Sequence, residues 1–337
     1  MQSTEGTGLS SGAELASSLK STFLSGLTAD ERLRIFDLTA RTARALHPWV
    51  ARYPLIRRVR VWPLCLSVVA AAPFCTVSSL ASMARMSLWV FTIDDLFDEE
   101  SVPYNELHRR VDRYLQFLDT GQAMPREKHD TLTNALHDIR DDLAHYPLFA
   151  PLESYWVHAV SQTLRSMIME HGWRAAHRSS ANTQVMPTYE AYLEQGVYSI
   201  GGPPHVWATL IAIDDPSTLE HLPRLQQMEY EASLCIRLAN DLQSHAKELK
   251  EGKINSIIIR QRELIAGGTD AESALAQARA TVQAAIRHGL TRCTELHSLS
   301  STATGHPERA ITDIARFVCD FYMHHDYHTF TTGSGRP

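Results

Sequence analysis

Apolar residues recur every three to four positions through almost all of this 337-residue chain, which is the helical period and not the period of two of a half-buried strand. Strand-like alternation is nearly absent. Short punctuation rich in Pro, Gly and Asp separates the periodic segments. The pattern predicts helices over 12–25, 29–47, 55–70, 76–98, 103–120, 126–145, 150–178, 187–201, 203–213, 217–250, 253–266, 270–298 and 306–327. Connections such as "HYPLFAP" and "AGGTD" are short, as antiparallel neighbours require. The expected architecture is all-α, a single-domain antiparallel helical bundle over residues 12–330. Residues 1–11 and 331–337 are expected to be disordered termini.

Hydrophobic residues make up 44% of the chain and the net charge is -6, with no Lys/Arg cluster. A core is affordable, and neither nucleic acid nor an anionic membrane surface is an expected partner. Five scattered cysteines without a CxxC spacing read as reduced small hydrophobes of a cytoplasmic protein. Val61 to Ala84 carries no charge. Pro63 and Pro73 interrupt it and arginines flank it, which favours a buried helix-loop-helix over a membrane span.

The stretch "FTIDDLFDEE" at 91–100 gathers five carboxylates without a Lys or Arg among them. On a helix, Met86, Trp89, Ile93, Leu96 and Phe97 form one apolar stripe. The opposite side is apolar at Ala84, Leu88 and Phe91, then acidic at Asp94, Asp95 and Asp98. A helix apolar on both sides is buried on both, so these aspartates are expected at the rim of an interior space. A solvated acidic patch is the alternative, but the helix C-terminus already favours cations. A divalent cation such as Mg²⁺, shared between carboxylates and a phosphate, resolves the repulsion. Two further acidic pairs, Asp141–Asp142 and Asp214–Asp215, lack the preceding aromatic helix and read as surface.

In "RLANDLQSHAKELKEG" at 237–252, Asn240, Ser244 and Glu248 repeat at i, i+4 and i+8 and so share one helix face. Arg237 and Lys247 flank that row, and Cys235, Leu238, Leu242 and Leu249 form the opposite stripe. Asn and Ser are mediocre choices for an exposed mid-helix face. As oxygen donors they fit a second cation site, with the two flanking cations near an anion; a solvated face is the alternative.

"DDLFD" resembles the aspartate-rich DDxxD motif of class I terpene synthases, and "NDLQSHAKE" is similar to their NDxxSxxxE motif. The separation from Asp94 to Asn240, the approach "PFCTVSSLASMARMSLWVFTIDD" and the segment "YLEQGVYSIGGPP" also resemble the family, over roughly 30–330. The resemblance implies a bacterial-type terpene cyclase of isoprenoid biosynthesis, with a diterpene synthase as the favoured case. It implies three Mg²⁺ ions, replaceable by Mn²⁺, held by Asp94, Asp95, Asp98, Asn240, Ser244 and Glu248. Those ions clamp a prenyl diphosphate, whose loss of diphosphate gives an allyl cation that cyclises in an aromatic cavity. Arg237 and Lys247 are the expected diphosphate contacts. Phe91 is the first candidate for steadying the cation. Trp89, Tyr198 and Trp207 are weaker ones, with core packing as the alternative, and Gly201 marks a helix break that would free carbonyls toward the pocket. A homodimer is compatible with this reading.

Two positions depart from the family pattern. Gly196 and Val197 stand where the family has a diphosphate-sensing arginine, and "ARFVCDFYMHHDYHTF" holds no recognisable Arg-Tyr pair. Arg237, Lys247 and His328 are the candidate substitutes. Small residues at 70–72 and 199–202 point to a roomy pocket, favouring geranylgeranyl over farnesyl diphosphate. A chain-elongating prenyl diphosphate synthase and a non-enzymatic helical scaffold remain as alternatives.

Overall fold

The computed structural model describes residues 21–98, 102–120, 130–179, 186–299 and 301–327. Among the described residues every regular element is helical: α1 (Thr22–Ser25), α2 (Ala29–Val50), α3 (Val61–Ala71), α4 (Val77–Asp98), α5 (Tyr104–Thr120), α6 (Thr131–Leu143), α7 (Phe149–Ser179), α8 (Tyr189–Ser199), α9 (Gly202–Ile213), α10 (Leu222–Glu251), α11 (Ser256–Ala266), α12 (Ala271–Leu299) and α13 (His306–Tyr322). No helix among the described residues is long and apolar enough to cross a membrane; Val61–Ala84 instead forms α3 and the start of α4.

Local chemistry sets the boundaries. Helix α2 opens with a capping box: the Thr28 hydroxyl accepts from the Glu31 N–H, and the Glu31 carboxylate accepts from the Thr28 N–H, a reciprocal pairing of otherwise orphaned donors. Helix α6 begins at Thr131 because the Asp130 carboxylate accepts from the N–H groups of Leu132 and Thr133; 121–129 lie outside the described residues, as do 12–20 of the first predicted helix. The segment read as one helix over 217–250 is a 3₁₀ turn (Pro216–His221) followed by α10. Pro223 starts α10 in the first turn, where a missing N–H costs nothing. Gly252, at φ 64°, ends α10 in a left-handed conformation that a side chain disfavours. Helix α13 stops at Tyr322, five residues short of the predicted end.

Helix α4 is the buried centre: Met83, Ala84, Met86, Leu88, Trp89 and Val90 are all buried, and α3, α7 and α9 pack around it. A second apolar cluster, built on Tyr192, Leu238, Ile257 and Val282, joins α8, α10, α11 and α12. The two clusters meet along α10. Leu249, placed by the sequence on the buried stripe, is 55% exposed; it lies in the last turn, where α10 runs out toward its cap. The Asp214–Asp215 pair also departs from its surface reading. Asp215 is buried, where the Ser217 and Thr304 N–H and hydroxyl groups donate to its carboxylate. Burial acts to raise its pKa, but those four bonds outweigh it and hold the value at about 2. Asp142 pairs with Arg85 at 2.5 Å.

Candidate active site

Asp94, from α4, and Asn240, Ser244 and Glu248, from α10, line one cavity of about 110 Å³. Their helices approach with the acidic end of α4 opposite the second half of α10, so motifs far apart in sequence share a pocket. On α10 the row is held by its own spacing. The Ser244 hydroxyl donates to the Asn240 carbonyl at 2.8 Å, the Tyr322 hydroxyl meets the Asn240 side chain, and Asn255 Nδ2 donates to Glu248 Oε2 at 2.6 Å. Burial, then the neighbouring Asp241, pushes the Glu248 carboxyl up to about 7. A carboxyl so placed gains from a cation beside it.

The family model described as "Terpene synthase family 2, C-terminal metal binding" matches residues 85–288, more than half of the chain and both motifs. The chain belongs to this terpene synthase family. It is 28% identical over 204 residues to a chloroplastic dolabradiene synthase of Zea mays, a match spanning 58% of this chain and 22% of that protein. It is 25% identical over 272 residues to a stemar-13-ene synthase of Oryza sativa subsp. japonica, spanning 73% and 32%. The chain thus spans less than a third of the length of these relatives. Its fold is that of a linalool/nerolidol synthase from Streptomyces clavuligerus, solved with 2-fluorogeranyl diphosphate: TM-score 0.65, 19% identity, covering 85% of this chain and 94% of that one.

Within this member of the family the three aspartates of α4 do not sit alike. Asp94 is half-buried and lines the cavity. Asp95, expected beside it as a metal ligand, is turned away and buried, paired with Arg60 at 2.6 Å and Arg57 at 3.1 Å. Neighbouring helical residues point about 100° apart, and the two arginines hold the second carboxylate off the cavity lining. Arg60, itself buried, also donates to the Phe91 carbonyl at 2.8 Å, which pins the last turns of α4. The backbone of Asp98 belongs to α4; its side chain lies outside the described residues, as do Glu99, Glu100 and His328.

The missing arginine of α8 has a structural counterpart. A Cβ on Gly196 would lie 3.1 Å from Cγ of Arg237, so the glycine leaves the space that the α10 guanidinium enters. Arg237 lines the cavity and is fixed on all sides. It pairs with Asp241 at 3.2 Å and Glu170 at 3.3 Å, donates to the Tyr192 hydroxyl and to Ser199 Oγ, and stacks over the Tyr192 ring. Burial opposes its charge, but Asp241 and Glu170 hold its pKa above the ordinary guanidinium range. Lys247 lines the same cavity, and so do Arg174 and Lys253, which sequence reasoning missed. Asp241, the residue after Asn240, is a structural hub: Tyr192 and the Ser256 N–H also donate to its carboxylate.

Of the aromatic candidates, Phe91 alone lines the cavity. Trp89 is fully buried in the core, where its Nε1 donates to the Leu132 carbonyl at 2.9 Å. Trp207 is buried and stacks on Tyr155 at 4.7 Å. Tyr198 faces His158 at 6.5 Å, off the cavity lining. Trp89 and Trp207 are thus core residues, and Tyr198 is half-buried outside the cavity lining. Gly201 makes the predicted break, at φ 77°, and a Cβ there would overlap Val90 Cγ1. The Tyr198 carbonyl freed by that break is taken by the Gly201 N–H and the Thr163 hydroxyl, not offered to the pocket. Sequence reasoning also missed Tyr322 and Asp326, which line the cavity in the region that lacks the Arg-Tyr pair. Tyr327 follows, buried against Phe91 at 5.3 Å with its hydroxyl on Ser67 Oγ at 2.5 Å.

The donor set of this pocket is carboxylate, amide and hydroxyl oxygen, with no Cys or His on its described lining, which suits a hard divalent cation. Among the described residues no three His, Cys, Asp or Glu side chains gather at one point; here the donors are divided between two walls and two are Asn and Ser. A larger cleft, about 1520 Å³, opens between α2, α12 and α13, and none of Asp94, Asn240, Ser244 or Glu248 lines it.

Proposed function

We propose that residues 12–330 ionise a prenyl diphosphate in the presence of Mg²⁺ and cyclise the resulting allyl cation to a terpene. The observation that carries this reading is the convergence of Asp94 with Asn240, Ser244 and Glu248 on one cavity, with Phe91 a turn deeper on the Asp94 side. Three Mg²⁺ ions, replaceable by Mn²⁺, would be held by Asp94 on one wall and by Asn240, Ser244 and Glu248 on the other. When bound they neutralise the diphosphate and assist its departure.

Each step divides among this chain's residues. Arg237, Lys247, Arg174 and Lys253 present positive charge to the diphosphate as the carbon–oxygen bond breaks and both electrons leave with oxygen. Arg237 arrives already oriented by Asp241 and Glu170, so little ordering remains to be done. The Phe91 ring offers its face to the carbocation, worth up to about 2 kcal/mol when desolvated. Loss of a proton ends the sequence.

The cavity does not match the roomy pocket expected from the small residues at 70–72 and 199–202. Ligand pockets of drug-sized molecules run to roughly 300–1,000 Å³, and this one is about 110 Å³. A hydrocarbon tail needs more room than this, and Tyr327, packed on the cavity-lining Phe91, is one side chain whose movement would supply it. The preference for geranylgeranyl diphosphate rests on that roomy pocket and loses this support, so geranylgeranyl and farnesyl diphosphate are both substrates to test. The test is incubation with each diphosphate and Mg²⁺, followed by mass spectrometry of the organic extract. A cyclic hydrocarbon or alcohol from one of them is expected; diphosphate left intact in every mixture would overturn the reading.

A further inference from the structure

Glu248 is held from behind by a neutral side chain. Past the left-handed Gly252, the chain folds back so that the Lys253 N–H donates to the Glu248 carbonyl at 2.9 Å. Asn255, fully buried, then uses its whole amide. Its Nδ2 donates to Glu248 Oε2 at 2.6 Å and to the Asp241 carbonyl at 2.8 Å. Its Oδ1 accepts from the Ile257 N–H at 2.9 Å and caps α11. One side chain thus ties the cap of α11 to the end of the donor row on α10.

We propose that Asn255 is a positioning residue for the metal site, fixing the Glu248 carboxylate while leaving its charge for a cation. A free Glu side chain loses rotamer entropy when ordered, and a standing hydrogen bond removes part of that cost from cation binding. The donor's neutrality matters as much as its position. Asp95 is gripped by two guanidinium groups, which satisfy its charge; an amide orients a carboxylate without neutralising it. The inference rests on Glu248 being a metal ligand, as proposed above.

The experiment titrates Mn²⁺ into the full chain in the presence of inorganic diphosphate and follows bound Mn²⁺ by electron paramagnetic resonance. Asn255→Ser keeps a side-chain oxygen that caps α11 but cannot reach Glu248, so circular dichroism stays unchanged and half-saturating Mn²⁺ rises about tenfold, the lower end of outer-sphere effects. In a Glu248→Ala background the same substitution adds nothing. If Asn255→Ser fails to fold, Asn255→Asp, equal in size and also a cap, carries the comparison, with at least the same loss because it too cannot donate to Glu248. Unchanged half-saturation, or a further tenfold loss in the Glu248→Ala background, overturns the inference. Wild-type protein that binds no Mn²⁺ with diphosphate brings down the metal reading itself.

Discussion

On α4 two adjacent aspartates part, Asp94 to the cavity and Asp95 to Arg57 and Arg60, whereas on α10 three donors four residues apart stay on one wall. The difference is one of helical arithmetic. A step of one residue turns about 100°, a step of four about 40°, so an i, i+4, i+8 row keeps its face while a doublet spreads and can be divided between a cavity and a flanking ion pair. It is also one of charge. Arginines neutralise Asp95, while an asparagine holds Glu248. Acidic residues that look alike in sequence therefore occupy two settings, one a buried ion pair and one a cavity wall.

Removing either cavity wall tests that division most severely. Asp94→Ala and Asn240→Ala are each expected to lower turnover by on the order of a thousandfold, as loss of a key electrostatic group does, with the helical circular dichroism of the parent. Near-normal rates in both would remove these helices from the active site. Asp95→Ala is expected to reverse the pattern. It strands the buried Arg60, so it costs about 3–5 kcal/mol of stability, read as a lower denaturant midpoint, while half-saturating Mg²⁺ in the folded fraction stays within about threefold. A variant as stable as the parent but unable to bind metal would put Asp95 back in the cavity.

A smaller effect comes from α10 away from the row. Burial pushes the Glu229 carboxyl from an ordinary value up to about 7, so the folded state prefers its neutral form. A raised folded pKa means stability fully present below about 4.5 and lost as pH climbs through about 7. Glu229→Gln is expected to flatten that fall in melting temperature between pH 5 and 7, at unchanged Mg²⁺ requirement. An identical slope in both proteins would show that Glu229 does not titrate in this window.

The fold was legible because helical periodicity and Pro/Gly punctuation are local, and predicted boundaries such as 76–98 for α4 and 203–213 for α9 came within a residue of the structure. What lay beyond a single sequence was the outcome of contacts between segments. Asp95 could not be separated from Asp94 without knowing that Arg57 and Arg60 lie alongside. Trp89 and Phe91 sit two residues apart on opposite faces, and composition alone cannot say which face meets the core. Arg174, Lys253 and Tyr322 come to the cavity from a loop and from the ends of α7 and α13, with no spacing to announce them. One signal was available: glycine at 196 where an arginine was expected leaves a hole, and a hole in a packed interior has to be filled from elsewhere, here by Arg237.

The mildest change in rate is expected at the deep end of the cavity, on the α4 wall. Phe91 lies one turn below Asp94, and its ring contacts Tyr327 at 5.3 Å and Arg60 at 5.5 Å. If ionisation depends on the rim, as proposed, Phe91→Ala is expected to leave diphosphate release within about tenfold of the parent, the scale of one exposed-to-desolvated cation–π contact. The product is another matter. Without the ring, the carbocation loses a stabilising face and gains space, and proton loss overtakes cyclisation, so gas chromatography shows simpler or acyclic hydrocarbons. Released diphosphate and product profile are separate measurements, and the comparison of walls requires them to separate: a rim substitution stops both, while this one changes only the second. A product profile identical to the parent's would make Phe91 ordinary core and place the hydrocarbon pocket against another face of α4.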